Sequence, residues 1–271
     1  MRAPAVLGMA FFALAATSVP AFAVTSINSC ADATISASGN YVVNADLTCG
    51  ISINNSNVSL KLNGHLITGP GSGVGIGTFS GDHIVIEGPG LIQNFDAGVQ
   101  FINCNYCQVG LVTLAHNKTG LTLQSASFAT IGSNVIVTNG TGLALTFVTK
   151  STLQYNDVTG NSNSGISLRG TSEITVNNNV VSGNKTDGMA FTFISAVGNS
   201  FLRVYSNSAN GNGEAGIDIV SGPGLPDQGN QFFNNASRGN GTFDLLDQNP
   251  SCGADIWSSD TFFLRNQACV R

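Results

Sequence analysis

Apolar and polar residues alternate along most of the chain in short runs that each begin with glycine. The runs are Gly98-Val-Gln-Phe, Gly120-Leu-Thr-Leu, Gly142-Leu-Ala-Leu, Gly165-Ile-Ser-Leu, Gly188-Met-Ala-Phe and Gly216-Ile-Asp-Ile. Strand side chains alternate with period two, so the two apolar residues of each run share one face and the residue between them points the other way. Ahead of these runs an eleven-residue frame ending in asparagine recurs: CQVGLVTLAHN, ATIGSNVIVTN, STLQYNDVTGN, ITVNNNVVSGN, LRVYSNSANGN and NQFFNNASRGN. The closing asparagines are Asn117, Asn139, Asn161, Asn184, Asn212 and Asn240. With Asn94 closing IVIEGPGLIQN before them, the intervals are 23, 22, 22, 23, 28 and 28. A period in the low twenties with insertions in the later turns is the mark of a solenoid.

Stacking the glycine-led strands in parallel buries their apolar positions as one continuous core. A leucine-rich repeat has a similar period but needs helical return segments, and Ser, Thr, Gly and Asn fill the returns here. The pattern therefore predicts an all-β chain, a parallel β-helix of about eight coils stacked about 4.8 Å apart. Two asparagine columns follow from the phase: Asn94 to Asn240 as above, and Asn134, Asn156, Asn179, Asn207 and Asn235. Stacked amides hydrogen-bond from coil to coil at the bends. Asn117, Asn139, Asn184, Asn235 and Asn240 also begin N-x-S/T triplets, but they fall on the repeat's own phase, which favours the ladder over glycosylation.

The first residues read as an export signal. Arg2 supplies the positive start, Val6 to Ala16 an apolar run and Ala21-Phe22-Ala23 the small-x-small pattern for cleavage after Ala23. The expected division is residues 1–23 as signal peptide and 24–271 as one β-helix domain, with cap regions at 24–60 and 245–271. No later apolar stretch approaches the roughly 20 residues of a membrane-spanning helix. Without the signal the formal balance is nine basic against fifteen acidic residues, which excludes nucleic acid as a natural partner. Charged residues make up 9% of the chain, against roughly 25% in ordinary soluble domains, so the surface hydrogen-bonds more than it ion-pairs. Oligomeric state and glycan identity leave no trace in these patterns.

Six cysteines lie after the signal, and their proximity suggests the pairs Cys30 with Cys49, Cys104 with Cys107, and Cys252 with Cys269, although spacing does not fix connectivity. Disulfides suit an exported chain, and the location expected is secreted or periplasmic. Cys104-Asn-Tyr-Cys107 has a redox or metal alternative, weakened by the lack of a second CxxC and of a surrounding βαβ pattern.

Frame and columns together resemble the right-handed parallel β-helix superfamily, pectin-lyase-like proteins that include pectate lyases, polygalacturonases and alginate epimerases. The entry segment from Cys30 through Cys49 and Val58-Ser-Leu-Lys-Leu-Asn-Gly-His65, and the exit through Asn249-Pro-Ser-Cys-Gly-Ala-Asp-Ile-Trp257 to Cys269, look like the disulfide-closed ends of small secreted bacterial members. The resemblance covers nearly all of Cys30 to Arg271. It implies a polysaccharide partner lying along one long sheet, with working side chains projecting outward from neighbouring coils.

The outward positions are then legible. One column reads Gln100, Thr122, Ala144, Ser167, Ala190, Asp218 and Asp244, and the next reads Ile102, Gln124, Thr146, Arg169, Thr192 and Val220. Gln100, Thr122, Gln124, Thr146 and Ser167 offer amides and hydroxyls suited to neutral sugars. Asp218 and Asp244 are expected on adjacent coils as a carboxylate pair, of the kind that hydrolyses glycosides or holds a cation, with Arg169 as the one nearby cation; the bland reading is two aspartates bonding turn amides near a cap. The paired basic groups of pectate lyases, the carboxylate sets of polygalacturonases and the DPHE motif of alginate epimerases are absent. His65, His83 and His116 do not share one phase, so no metal site is expected. The run Gly69-Pro-Gly-Ser-Gly-Val-Gly-Ile-Gly lacks the Lys-Ser/Thr of a phosphate loop and reads as a loop entering a strand.

Three functions remain open: a polysaccharide-binding surface, a polysaccharide lyase, hydrolase or epimerase acting on the outward sheet, and a structural surface protein. No cofactor is implied, except Ca²⁺ under the lyase reading.

Overall fold

The computed structural model describes residues 23–195, 197–220, 222 and 229–271. Nearly all of the signal segment lies outside them. Among the described residues no helix is long and apolar enough to cross a membrane.

The chain winds into about nine parallel coils. Their strands form an eleven-stranded sheet running from Val24–Ile27 to Ile256–Ser258, a ten-stranded sheet from Thr34–Ile35 to Leu245–Asp247, and a five-stranded sheet from Leu66–Thr68 to Asp157–Thr159. Every strand-to-strand ladder is parallel, so each coil is bonded only to the coils before and after it. The glycine-led strands occupy the ten-stranded sheet in the expected register. Val99, Leu121, Leu143, Ile166, Met189, Ile217 and Leu245 stack as one inward column, all fully buried. Phe101, Leu123, Leu145, Leu168, Phe191 and Ile219 form the second.

A coil turns at corners that place single residues in the left-handed region. One such column is Asn57, His83, Tyr106, Phe128, Lys150, Glu173 and Phe201, with φ between 49° and 57°. Each non-glycine residue held there costs on the order of 1 kcal/mol. At two further corners the left-handed residues Asn94, His116 and Thr138, and Leu111, Ser133, Tyr155, Asn178, Ser206 and Asn234, stand beside asparagine columns whose bonds offset this cost. Asn139 shows the pattern: its carbonyl oxygen Oδ1 accepts from the backbone N–H (2.9 Å) and side-chain Nδ2 (3.1 Å) of Asn117, while its own Nδ2 donates to the Leu114 carbonyl and to Asn161 Oδ1. The same bonds join Asn161, Asn184, Asn212 and Asn240 in one column. They also join Asn134, Asn156, Asn179, Asn207 and Asn235 in the other. Asn117, Asn139, Asn184 and Asn235 are no more than 3% exposed with their amides engaged, so these sequons serve the ladder.

Asn94 is not the first rung. It stands at the left-handed position beside the column, in line with His116 and Thr138, and Phe95 occupies the rung itself, its N–H donating to Asn117 Oδ1 at 3.0 Å. The frame interval of 23 residues before Asn117 concealed a one-residue offset.

Both columns close on aspartate. Asn240 donates its backbone and side-chain N–H to Asp244 Oδ1, and Asn235 does the same to Asp260 Oδ1. A third, shorter column ends with Asn230 donating to Asp255. The three disulfides join the cysteines paired above, with Cys30–Cys49 and Cys252–Cys269 near the two ends and Cys104–Cys107 within a corner.

Two outcomes test this account. Asn156→Ala strands the N–H donors of Asn134 and the Ile131 carbonyl inside the coil, and should lower the unfolding free energy by about 2–4 kcal/mol, while Asn163→Ala on the surface changes it by less than about 0.5 kcal/mol; chemical denaturation reads both. Burial pushes the Asp255 and Asp260 carboxyls up to about 6. Their folded values stand above the unfolded one, so their contribution is complete in acid and lost as pH rises through about 6. The calorimetric melting temperature should therefore rise as pH falls from 8 to 5, and a flat or falling trend would refute the buried-carboxyl caps.

Candidate functional site

The outward face of the ten-stranded sheet carries the residues singled out from the sequence. Gln100, Thr122, Ala144, Ser167, Ala190 and Asp218 follow one another in register, as do Ile102, Gln124, Thr146, Arg169 and Thr192. None of Gln100, Thr122, Gln124, Thr146 or Ser167 commits its side chain to a hydrogen bond with another described residue. That contrasts with the corner asparagines, whose amides are fully spent.

The face extends further toward the N-terminal end than the glycine-led runs indicated. Gly77 and Ser52 continue the Gln100 column, and Phe79 precedes Ile102 in the second. Gly50, Ile51, Ser52, Val74, Gly77, Phe79 and Gln100 line a shallow groove of about 230 Å³. The Phe79 ring is 68% exposed and stacks on no other ring among the described residues. Val74-Gly-Ile-Gly-Thr78 hides this strand in the sequence, because glycine stands where an outward side chain would show the alternation.

A second exposed aromatic run differs in kind. His83, Tyr106 and Phe128 stack with centroids 4.8 Å apart and planes within 15°, and Lys150 covers the far face of Phe128 at 5.7 Å. These rings spend their faces on one another and offer edges to solvent. They brace a corner, as the amides do.

The expected carboxylate pair does not form. Asp218 aligns with Leu246, and Ile219 with Asp247, so Asp244 stands in the position of Gly216 and not in the outward column. Asp244 Oδ1 receives both Asn240 donors, and its Oδ2 receives the N–H groups of Phe263 (2.7 Å) and Leu264 (3.0 Å). Burial alone would raise this carboxyl, but those bonds hold it below the usual carboxylate range. It is the terminal rung of a ladder. The misplacement arose because Asp247 fills an inward position: it is fully buried, and its Oδ2 accepts from Trp257 Nε1 at 2.8 Å.

Asp218 is only 7% exposed. Burial pushes it up to about 7, the Gln248 amide bonded to it at 3.1 Å opposes the rise, and Asp187, Glu214 and Asp247 add to it. Arg169 is exposed and lies two strands and two residues away from Asp218 in the register, paired with Thr192. Thus Asp218, Asp244 and Arg169 are three separate features. The histidines diverge as well: His65 Nδ1 meets Asp46 at 3.1 Å, His83 stacks on Tyr106, and His116 Nδ1 lies 3.3 Å from the Thr138 hydroxyl. Among the described residues no three His, Cys, Asp or Glu side chains converge as a metal site.

The two aspartates should respond oppositely to substitution. Asp218→Asn keeps the acceptor for Gln248 and removes a buried charge; with the folded value raised to about 7, the gain in melting temperature should be largest at pH 8, smaller at pH 5 and absent below the unfolded value of about 4. Asp244→Ala leaves four N–H donors without an acceptor and should cost about 3 kcal/mol or more. Equal losses from both would overturn the reading of Asp218 as a buried charge and Asp244 as a ladder rung.

No protein of curated function matches the chain in sequence. Among solved structures it is similar to the periplasmic alginate epimerase AlgG, at 13% identity and TM-score 0.62 over 83% of this chain, which spans 62% of that protein's length. It is similar also to an alginate lyase from Paenibacillus sp. str. FPU-7, at 12% identity and TM-score 0.68, covering 92% of this chain and 99% of the lyase. The pectate lyase Pel9A resembles it at 13% identity and TM-score 0.56, over 86% of this chain and 71% of its own. Such identities speak for the fold, a pectin-lyase-like right-handed parallel β-helix. The family model described as "Right handed beta helix region" matches residues 90–236, more than half of the sequence, and the chain belongs to that family.

Proposed function

We propose that the protein binds a neutral polysaccharide along the outward face of its ten-stranded sheet, in the periplasm or outside the cell, without cleaving it. The observation that carries this reading is the row of unspent, solvent-reaching side chains Gln100, Thr122, Gln124 and Thr146, set at the spacing of successive coils, which Ser167 continues as a buried hydroxyl. Sugar hydroxyls both donate and accept, and they match amides and hydroxyls better than they match charges. Phe79 adds an open ring face at one end of the row, and aromatic faces bury the C–H side of a ligand. The export pattern and three disulfides support a location beyond the cytoplasm.

The named proteins act on alginate and pectate, which are acidic polysaccharides; this supports a polysaccharide ligand but neither its neutrality, which rests on the uncharged outward row, nor a reaction. One observation favours catalysis instead: Asp218, its carboxyl raised toward neutrality, has the character of a general acid. Against this, its outward position is nearly closed to solvent, and Asp244 is committed to the ladder.

Binding to a panel of neutral glucans, mannans and galactans should be measurable by calorimetry, and Phe79→Ala or Gln100→Ala should each weaken it about tenfold, or about 1.4 kcal/mol. Chromatography of the same mixtures should show no shortened or epimerised product. Product formation that vanishes in Asp218→Asn would replace the binding reading with the enzymatic one.

A further inference from the structure

An open cleft of about 730 Å³ lies at the corner between the five-stranded and ten-stranded sheets, around the corner from the sheet face. It exists because the asparagine ladder stops short. Phe95 takes the rung that would precede Asn117, and the loop at 69–73 rests on its ring: a Cβ added to Gly69 would lie 2.4 Å from Phe95 Cδ1. Three bonds pin the loop, from Gly69 N–H to the Gln93 carbonyl (2.9 Å), from Gly71 N–H to the Asn94 carbonyl (2.8 Å) and from Gly73 N–H to Asp96 Oδ2 (2.8 Å). Pro70 is exposed on the rim so formed.

The remaining lining has a defined polarity. The Thr138 hydroxyl lies 2.7 Å from the Val137 carbonyl and 3.3 Å from His116 Nδ1; with its single proton donated to the carbonyl, it accepts from Nδ1. His116 Nε2 has no partner among the described residues, and in that tautomer it is an open lone-pair acceptor. Lys118 Nζ is paired with Asp96 Oδ1 at 2.5 Å, which offsets part of its charge and leaves two of its N–H groups to donate. Asn94, exposed beside them, contributes an amide that both donates and accepts. A free carboxylate would meet the Nε2 lone pair and compete with Asp96 for Lys118. A sugar hydroxyl suits both groups at once, and the Pro70 ring suits a C–H face.

We propose that this cleft is a second carbohydrate subsite, holding one neutral pyranose residue whose hydroxyls donate to His116 Nε2 and accept from Lys118 Nζ. It rests on the polysaccharide reading and adds a separate contact, so that one glycan engages both the sheet face and the corner. The position suits a branch or a chain end, since the cleft opens beside the Asp96–Lys118 pair and not along the row of Gln100 and Thr122.

The test uses the mature chain with hexasaccharides of neutral glucan, mannan and galactan, and a hexauronate for contrast. Affinities come from calorimetry, and the three histidine rings are followed by long-range proton–nitrogen spectra. A neutral hexasaccharide should shift His116 Nε2 saturably while His65 and His83 stay still, and His116→Ala and Lys118→Met should each weaken binding about tenfold. The free protein should show the Nδ1–H tautomer of His116, lost in Thr138→Val. Binding that depends on Phe79 yet leaves the His116 ring unmoved and His116→Ala at full affinity overturns the subsite and spares the sheet face. Binding that depends on His116 and ignores Phe79→Ala upholds the subsite and overturns the sheet-face reading. A preference for the hexauronate overturns the neutral pyranose, and an absence of heat with every probe overturns both proposals.

Discussion

Each ladder asparagine reaches back to a carbonyl of the preceding coil, but its backbone N–H and second amide proton are satisfied only by the coil that follows. Its backbone and side-chain N–H groups both need one carbonyl oxygen in the same place one coil further on, and the next asparagine supplies that oxygen while generating the same need again. A column of this kind has different requirements at its two ends. The first rung needs only a backbone N–H to donate, so Phe95 and Val112 serve as well as asparagine. The last rung must accept without needing a further acceptor. A carboxylate has that property and an amide does not, which is why the columns end on Asp244, Asp255 and Asp260. The polarity of the solenoid is thus written into the residue types at its two ends.

The same arithmetic separates structural from available polar groups. Along the two asparagine columns every amide is engaged, and its removal exposes unmet donors in a dry interior. On the outward sheet Gln100, Thr122, Gln124 and Thr146 reach solvent without a partner among the described residues, Ser167 is buried beside them, and no hydrogen bond of the fold requires them to be Gln, Thr or Ser. The corner cleft belongs to the boundary between these regimes. Where the ladder gives way to the Phe95 ring, a glycine loop packs on an apolar support, and polar side chains that would have been ladder neighbours are left facing outward.

Much of this was legible in the sequence, because a residue in a solenoid repeats its environment once per coil. The inward columns, both ladders and the outward row came directly from the glycine-led runs and the spaced asparagines. The errors fell where a coil breaks its own pattern for a physical reason. Asn94 was mistaken for a rung because the true rung is an aromatic ring, and Asp244 was placed outward because the inward position at Asp247 is charged and satisfied by Trp257. Phe79 and Ser52 were missed because Gly77 carries no side chain to mark the phase. The tautomer of His116 depends on where the Thr138 hydroxyl points, which no periodicity reports.

Carboxyls accumulate at the C-terminal end of the coil stack as a consequence. Asp244, Asp247, Asp255 and Asp260 are each held by N–H donors of neighbouring backbone or side chains, and burial raises Asp247 while pushing Asp255 and Asp260 up to about 6. Asp218 stands beside this group, and part of its rise comes from it through Asp247. A perturbed carboxyl in a protein of this fold would ordinarily draw attention as an acid catalyst. Here the perturbation has a prior cause in the need to terminate amide columns, and the same need is absent at the uncharged, solvent-facing residues near Phe79 and Gln100. The raised carboxyls of the acidic end are thus accounted for by the fold, and the polar side chains that the fold leaves uncommitted lie on the neutral surface around Gln100 and Thr122.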